Sequence, residues 1–248
     1  MFMRGEIFKR VTLSNFINGE ELRIEFRRHQ RNKPWTYANL DLRQRQLAEQ
    51  VSAGEPGWLI LSELAPVITL GRRTPPSDLG SIDYTKLGIE IHRTDRGGLA
   101  TSHGPGQWVV FPVEKLERLT GDPRGVRKAV CLLLQVALEV GRFYESAAEI
   151  RQGRELGVWT PRGKFASVGI HIKNGVLLHG LAVNGYRTPT SFVGLRPCGL
   201  DAPVDFLLSE ANEEEFLELG QRIIDAFGKI FEIPAKRQLG EKKAQYAF

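Results

Sequence analysis

Two apolar runs joined by Asn174-Gly175 constrain the fold of this chain more than any other feature. The runs cover residues 165–172 and 176–183, and an Asn-Gly pair between two such runs favours a tight hairpin turn. An antiparallel β-hairpin is therefore predicted here. Other short apolar or alternating runs, bounded by glycine or proline, also indicate strands. They lie at residues 58–61, 67–70, 89–92, 108–111 and 157–160.

Three further segments have helical patterns. Residues 37–53 place Leu40, Leu47 and Val51 on one face. A second helix is predicted to begin with Asp122 as its N-cap and Pro123 at its first position, and to run to about residue 144. Its predicted buried residues are Val126, Val130, Leu133, Leu134, Ala137 and Leu138. A third helix is predicted after Asn212, which forms a possible capping box with Glu215.

Strands and helices follow one another without a regular strand–helix repeat. The predicted fold class is therefore α/β in the broad sense, of the α+β type, with a mixed β-sheet flanked by helices. Residues 1–34 are interpreted as an N-terminal extension. Within it, Asn18-Gly19 and the alternating residues 21–26 predict a β-hairpin.

The basic stretch 27–34 follows that hairpin. We interpret it as a solvated linker, and the alternative is a docking arm for an acidic protein. Residues 35–235 would then form the main, catalytic domain, and residues 236–248 a polar C-terminal tail.

The composition excludes several classes of protein. The chain has 248 residues, of which 42% are hydrophobic and 25% charged, as in ordinary globular domains. Two cysteines exclude a disulfide scaffold and favour a reducing compartment, the cytoplasm. No signal peptide or membrane span is expected, because no apolar run is long enough. The net charge of +5 fits an acidic partner, whereas the missing RNA-binding signature argues against nucleic acid.

Three glycine-bearing segments are candidate sites of chemistry. Residues 95–107 hold four glycines, which let a backbone approach a ligand closely, and this segment is predicted to form neither a helix nor a plain strand. In the second segment, Lys164 precedes a strand of small residues. In the third, Cys198 lies between a proline and a glycine, in a turn that can expose a thiol. A lysine near such a cysteine would stabilise the thiolate.

The sequence does not match several other motifs that would indicate a nucleotide or a metal site. Neither the dinucleotide-binding fingerprint nor the phosphate-loop motif is met. The five histidines are scattered without metal-ligand spacing, so no metal site is expected. Cys131, between Val130 and Leu132, is interpreted as a core residue of a helix. The role of His179, which precedes Gly180, stays open.

Together these segments resemble one family, the lipoyl(octanoyl) transferases of the lipoate–protein ligase B type. One segment of this chain looks like the family's signature, namely Arg96-Gly97-Gly98-x-x-Thr101-x-His103-Gly104-Pro105-Gly106-Gln107. The later blocks match in order as Lys164-x-Ala166-Ser167-x-Gly169, His179-Gly180-Leu181-Ala182-x-Asn184 and Pro197-Cys198-Gly199. An earlier block matches Leu70-Gly71-Arg72-Arg73, and the similarity covers about residues 37–233.

The resemblance implies the fold of biotin and lipoate ligases and an acyl transfer that uses no nucleotide, other cofactor or metal. Octanoyl would pass from acyl carrier protein to Cys198, with Lys164 as the partner of the thiol. It would end as an amide on a lipoyl domain of a 2-oxoacid dehydrogenase complex or on glycine cleavage H protein. The enzyme is expected to be a monomer. By the same resemblance, the substrate site is lined by Arg96, Gly97, Gly98, Leu99, Ala100, Thr101, Ser102, His103, Ser167, Val168, Gly169, Gly180, Leu181 and Ala182.

The chain departs from the family pattern beside these residues. Leu64 replaces a histidine, Ser102 replaces an aromatic residue, and residues 185–189 replace a frequent Asp-Leu pair. The preferred acyl length and the acceptor stay open for that reason. Two alternative functions also stay open. One is an ATP-dependent lipoate or biotin ligase, which needs the lysine but no nucleophilic cysteine, and the other is a non-catalytic protein that binds acyl or lipoyl groups.

Overall fold

The computed structural model describes residues 12–17, 20–75, 79, 82–195 and 203–232. Within them lie four α-helices, namely α1 (Tyr37–Ser52), α2 (Leu116–Thr120), α3 (Val126–Tyr144) and α4 (Glu213–Glu232). The strands are β1 (Thr12–Ile17), β2 (Glu20–Arg27), β3 (Gly57–Ser62), β4 (Val67–Leu70), β5 (Glu90–Arg93), β6 (Ala100–His103), β7 (Gln107–Lys115), β8 (Glu149–Arg151), β9 (Gly157–Thr160), β10 (Gly163–Lys173) and β11 (Val176–Asn184).

These strands form two sheets. The larger one has eight strands in the order β1-β2-β3-β7-β11-β10-β9-β8, and the smaller one has three in the order β5-β4-β6. The pairs β2–β3 and β4–β5 are parallel, and the other pairs of described strands are antiparallel. A mixed sheet flanked by helices confirms the predicted fold class.

The hairpin at Asn174-Gly175 forms as predicted. The two residues have φ values of 52° and 75°, the positive values that a type I′ turn requires. The turn sets the register of β10 and β11, so that Ser167 lies opposite Ala182 and Gly169 lies opposite Gly180. Residues opposite each other in an antiparallel pair share one face of the sheet, so these four lie on the same face.

Alternation along β7 separates two layers of the core. Trp108 and Val110 pack with α3 and α4 on one face of the large sheet. Val109 and Phe111 pack with α1 on the other face. Since both faces are covered, β7 is apolar from Trp108 to Val113 rather than alternating between apolar and polar residues.

The N-terminal hairpin exists, but it does not stand apart from the body. β1 and β2 pair across residues 18–19, and β2 continues the large sheet as the parallel neighbour of β3. Leu22 and Ile24 enter the core, with 1% and 5% of their surface exposed. The interpretation of residues 1–34 as an extension outside the main domain is therefore corrected for β2, because the apolar side of this alternating strand is buried under the helices.

The start of α3 also needs correction. The carboxylate of Asp122 accepts the N–H of Arg124 within a turn, at 2.8 Å, and the helix begins only at Val126. The buried face of α3 also differs from the prediction. Val126 is exposed, and Val130 and Leu138 are half-buried. The buried face instead contains Ala129, Leu133, Leu134, Val136, Ala137 and Val140.

The other predicted elements agree with the structure. α1 buries Leu40, Leu47 and Val51, and Thr36 and Asn39 form a capping box before it. The side-chain oxygen of Asn212 accepts the N–H groups of Glu214 and Glu215 at the start of α4. The predicted short strands appear within a residue of their bounds, except that β7 runs on to Lys115. In the described part of the chain, no helix combines the length and the apolar character needed to cross a bilayer.

Candidate active site

The glycine-rich segment lies between the two sheets. Its residues 100–103 form β6, because Ala100 pairs with Leu70 and His103 with Val67 on β4. The prediction of a segment without a plain strand is therefore wrong for these four residues. The preceding loop is held from both sides. Gly97 donates its N–H to the carbonyl of Ile170 on β10 at 3.0 Å, and the segment 71–73 donates to the carbonyls of 96, 98 and 99.

A cavity of about 510 Å³, including its open mouth, lies between this loop and the face of the large sheet that α1 covers. The residues of the predicted substrate site converge on it. Those in the wall are Arg96, Gly97, Gly98, Leu99, Ala100, Thr101, His103, Ser167, Val168, Gly169, Gly180, Leu181 and Ala182. Among the described residues, Ser102 is the predicted member outside this wall, and its hydroxyl accepts the N–H of Phe192 at 3.3 Å.

Glycines keep this cavity open. A Cβ atom at Gly169 would lie 3.2 Å from Cδ of Arg96 and 3.3 Å from the carbonyl oxygen of Gly97, both in the cavity wall. A Cβ atom at Gly180 would lie only 2.2 Å from the carbonyl oxygen of Val110 on the neighbouring strand. A side chain at the first position would therefore narrow the cavity, and one at the second would push β7 and β11 apart.

Lys164 adjoins this cavity and is buried, with 6% of its surface exposed. Its Nζ donates to the carbonyl oxygen of Leu156 at 2.6 Å and lies 5.8 Å from the ring centre of Trp159. A Cβ atom on Gly157 would lie 2.2 Å from Cε of Lys164, so the missing side chain at 157 gives the lysine its space. Lys164 lines a smaller cavity, whose wall shares Thr101 and Ser167 with the wall of the larger one.

The chain on either side of Cys198 is positioned by these elements. Leu195 packs against the small sheet, and the description resumes at Pro203, whose carbonyl oxygen accepts the N–H of Lys164 at 2.9 Å. Arg196, Pro197, Cys198 and Gly199 lie outside the described residues.

Cys131, the other thiol of the chain, is described. It lies on α3, on the opposite face of the large sheet from the cavity, and it is half-buried. The interpretation of Cys131 as a core residue is therefore corrected. The turn of α3 that carries it buries Leu133 and Leu134 instead.

His103 is a fixed, neutral side chain. Burial and the nearby guanidinium of Arg96 lower the pKa of His103 to about 4. The side-chain nitrogen of Gln107 donates to Oδ1 of Asn184 at 2.8 Å. The side-chain oxygen of Gln107 therefore faces His103 and accepts from its Nδ1 at 2.6 Å. Nε2 of His103 then accepts from the hydroxyl of Thr69 at 3.2 Å. Since both ring nitrogens are engaged, His103 positions the cavity wall.

A second histidine, left open by the sequence, closes another side of the cavity. His179 is fully buried and has a φ of 58°, which is unusual for a residue with a side chain. Nε2 of His179 lies 2.6 Å from Oδ1 of Asp95, and Nδ1 lies 3.0 Å from the hydroxyl of Tyr37. Gln44 accepts the backbone N–H of His179 at 2.9 Å. Burial lowers the pKa of His179, so the neutral ring donates to Asp95 and accepts from Tyr37.

Four residues of the cavity wall were not predicted from the sequence to belong to a site. They are Tyr37, Val109, Phe111 and His179. The hydrophobic pattern assigned Val109 and Phe111 to a strand and left Tyr37 at a helix start, and apolar wall residues carry no other signal. No group of three or more metal-ligating side chains occurs among the residues that the structure describes.

Comparison with known proteins agrees with this arrangement. The family model of the lipoyl protein ligase A/B catalytic domain matches residues 36–228. An octanoyltransferase of Magnetococcus marinus is 35% identical over 199 residues, which cover 79% of this chain and 90% of that protein. An octanoyltransferase of Geobacter metallireducens is 39% identical over 163 residues, covering 64% of this chain and 71% of that protein.

A solved structure shares the fold at much lower identity. Protein Ta0514 of T. acidophilum, described as a lipoate protein ligase and solved with bound lipoic acid, superposes with a TM-score of 0.58 at 14% identity. The match covers 84% of each chain, and at this identity it concerns the fold alone. With the family model over most of the chain and octanoyltransferases as relatives, the chain belongs to the lipoyl protein ligase A/B catalytic domain family, on its lipoyl(octanoyl) transferase branch.

Proposed function

We propose that this enzyme transfers an octanoyl group from octanoyl–acyl carrier protein to a lysine of a lipoyl domain, through a thioester on Cys198. The observation that carries the proposal is the buried Lys164, which lines a small cavity that shares Thr101 and Ser167 with the larger, glycine-lined one. An acyl chain in the larger cavity would place its carbonyl carbon near Lys164. The octanoyltransferase relatives make octanoyl the proposed acyl group.

The first half-reaction exchanges one thioester for another. The thiol of Cys198 gives its proton to Lys164, and the thiolate attacks the carbonyl carbon of the octanoyl thioester. The bond between that carbon and the carrier's sulfur breaks, and the departing thiolate takes the proton back from Lys164. Octanoyl is then bound to Cys198, and because a thioester is retained, no nucleotide is needed to drive the next step.

The second half-reaction forms an amide. The uncharged amine of a lipoyl-domain lysine attacks the thioester carbon, the bond to Sγ of Cys198 breaks, and the amine proton returns to the thiolate by way of Lys164. The segment with Cys198 leaves the small sheet after Leu195 and returns at Pro203, beside the backbone of Lys164. These two anchors support placing the thiol near the lysine.

The cavity suits an apolar chain. Its wall combines glycines with Leu99, Val109 and Phe111, and each methylene buried there contributes about 0.8 kcal/mol. The remaining predicted residues, Arg96 to His103, Ser167 to Gly169 and Gly180 to Ala182, would line the acyl chain and its thioester. Ser102 would act indirectly, through its contact with Phe192.

The ATP-dependent ligase is the second candidate, favoured by the ligase fold of the T. acidophilum protein. That likeness rests on 14% identity, whereas the octanoyltransferases reach 35% and 39%. We therefore prefer the transferase, acting without cofactor or metal as a cytoplasmic monomer. The proposed acceptors are lipoyl domains of 2-oxoacid dehydrogenase complexes or glycine cleavage H protein. Neither nucleic acid nor a membrane is a proposed partner.

Intact-protein mass spectrometry tests this proposal. After mixing with octanoyl–acyl carrier protein, the parent chain and Cys131→Ala should each gain one octanoyl group, and Cys198→Ala should gain none. Free octanoate with ATP should leave all three unchanged. An octanoyl adenylate formed from ATP would establish the ligase instead. Tight octanoyl binding without any covalent increment would establish the non-catalytic alternative.

A further inference from the structure

The first two arginines of the basic stretch after β2 pair with carboxylates of the protein body. Nε of Arg27 lies 3.0 Å from Glu25, and Arg28 pairs with Glu63 at 2.7 Å and with Glu213 at the start of α4. Arg28 also lies over the ring of Trp108, with 5.9 Å to the ring centre. These two arginines bind the stretch to the protein body, which leaves Arg31 and Lys33 as its exposed and unpaired cations among the described residues.

A different group of arginines lies beside the cavity. Arg72 and Arg73 follow β4, and their backbone N–H groups donate to the carbonyls of Arg96 at 3.1 Å and Gly98 at 3.2 Å. Arg93 ends β5, where it pairs with Leu70, two residues before Arg72. Arg72 and Arg73 are therefore bonded to the backbone of the loop that lines the cavity, and Arg93 lies close to them across the β4–β5 pair.

These three arginines are exposed, and none of them forms an ion pair within the described residues. Asp95, the acidic residue nearest to them in the sequence, is already bound to Arg45 at 3.0 Å and to His179 at 2.6 Å. Within the part of the chain that the structure describes, three positive charges thus lie near one edge of the cavity, and no carboxylate is paired with them. Such a patch attracts an acidic protein and accelerates its productive encounter.

We propose that Arg72, Arg73 and Arg93 form the docking surface for the acidic carrier protein that delivers the acyl thioester. This inference rests on the proposed function, and it replaces the basic stretch as the docking element. The donor must thread its acyl chain past residues 96–99, and a carrier held at the outer side of that loop is positioned to do so. The phosphate at the base of a carrier's pantetheine arm adds a negative charge that arginines can bind.

The test measures the rate of octanoyl attachment to the enzyme by quenched-flow mass spectrometry, with no acceptor present. The variant combines Arg72→Ala, Arg73→Ala and Arg93→Ala. The matched control combines Arg124→Ala and Arg127→Ala, two exposed arginines at the start of α3 on the opposite face of the sheet. Two donors are compared, octanoyl–acyl carrier protein and octanoyl-pantetheine, which has neither the carrier domain nor the phosphate.

With the carrier donor at low salt, the triple variant should acylate roughly tenfold more slowly than the parent, and the control should match the parent. With octanoyl-pantetheine all three proteins should acylate alike, which also shows that the variants are folded. Equal rates with the carrier donor, or equal losses with both donors, would overturn the docking surface. A parent chain that accepts octanoyl from neither donor would instead overturn the proposed function.

Discussion

Replacing Gly169 by alanine adds a methyl group to the wall of the acyl cavity. The new Cβ would lie 3.2 Å from Cδ of Arg96 and 3.3 Å from the carbonyl oxygen of Gly97, so the wall has to move by only a few tenths of an ångström. The backbone permits alanine, because Gly169 is not among the residues with positive φ. The variant should therefore fold, and its cavity should be smaller by about one methyl group.

The expected loss follows from burial of the acyl chain. A cavity smaller by one methyl group holds about one methylene fewer, and each buried methylene contributes about 0.8 kcal/mol. Since 1.4 kcal/mol corresponds to a factor of ten, kcat/KM for octanoyl should fall about fourfold. A hexanoyl chain is two methylenes shorter and leaves space for the added methyl group, so its kcat/KM should stay near the parent value.

The assay compares hexanoyl and octanoyl carrier substrates in steady-state transfer. Gly104→Ala is the matched control, because Gly104 lies outside the wall of this cavity and a Cβ there would meet Cα of Pro66 at an ordinary 3.5 Å. The ratio of octanoyl to hexanoyl kcat/KM should drop in Gly169→Ala and stay constant in Gly104→Ala. An unchanged ratio in a folded Gly169→Ala protein would show that the acyl chain does not lie over this glycine.

Three further predictions concern single residues. Lys164→Arg should stay folded, by circular dichroism, and lose on the order of 10²–10⁴ in transfer rate, because a guanidinium does not release a proton; near-parental turnover would reduce Lys164 to an electrostatic role. Gly180→Ala should lower the free energy of unfolding in urea by more than about 2 kcal/mol, since its Cβ would lie 2.2 Å from the carbonyl oxygen of Val110; a stable variant would contradict the tight pairing of β7 and β11. The pKa of His103 is about 4 in the folded protein, against 6.5 when unfolded. The neutral ring therefore stabilises the folded state fully above pH 6.5, and this stabilisation is lost as the pH falls towards 4. Urea midpoints should accordingly decline over that range, and less steeply in His103→Gln; identical slopes would contradict the buried neutral ring.

Local signals in the sequence were sufficient for much of the fold. Asn174-Gly175 fixed both the turn and the register that places Gly169 opposite Gly180. The apolar face of α1 was equally clear, because a single helix buries residues at a regular spacing. These features depend on contacts between residues close in the chain.

Features that depend on distant contacts were harder to predict. Ala100 to His103 form a strand because β4 lies beside them, and nothing in their glycine-rich surroundings shows that partner. The N-terminal hairpin joins the large sheet through β3, about 35 residues further along the chain, so its alternation alone suggested a separate unit. The start of α3 moved because Asp122 caps a turn instead of a helix.

In the candidate site too, residues within sequence motifs were predictable, and contacts between distant parts of the chain were not. The site's predicted substrate-binding residues were found together from the sequence, and the structure places all of them except Ser102 around one cavity, with Lys164 lining a smaller cavity beside it. The network of His179, Asp95 and Tyr37 could not be predicted, because it joins residues from three separate parts of the chain. His179 itself was visible only as a histidine beside a glycine.

The central claim is that octanoyl reaches its acceptor from a thioester on this chain. The most direct test isolates the enzyme after reaction with octanoyl–acyl carrier protein, removes the carrier, and adds an unmodified lipoyl domain without ATP. We predict that the octanoyl group leaves Cys198 and appears as an amide on one lysine of the lipoyl domain, with both masses changing together. An octanoyl-enzyme that keeps its acyl group in the presence of the lipoyl domain, or releases it only as free octanoate, would contradict this account.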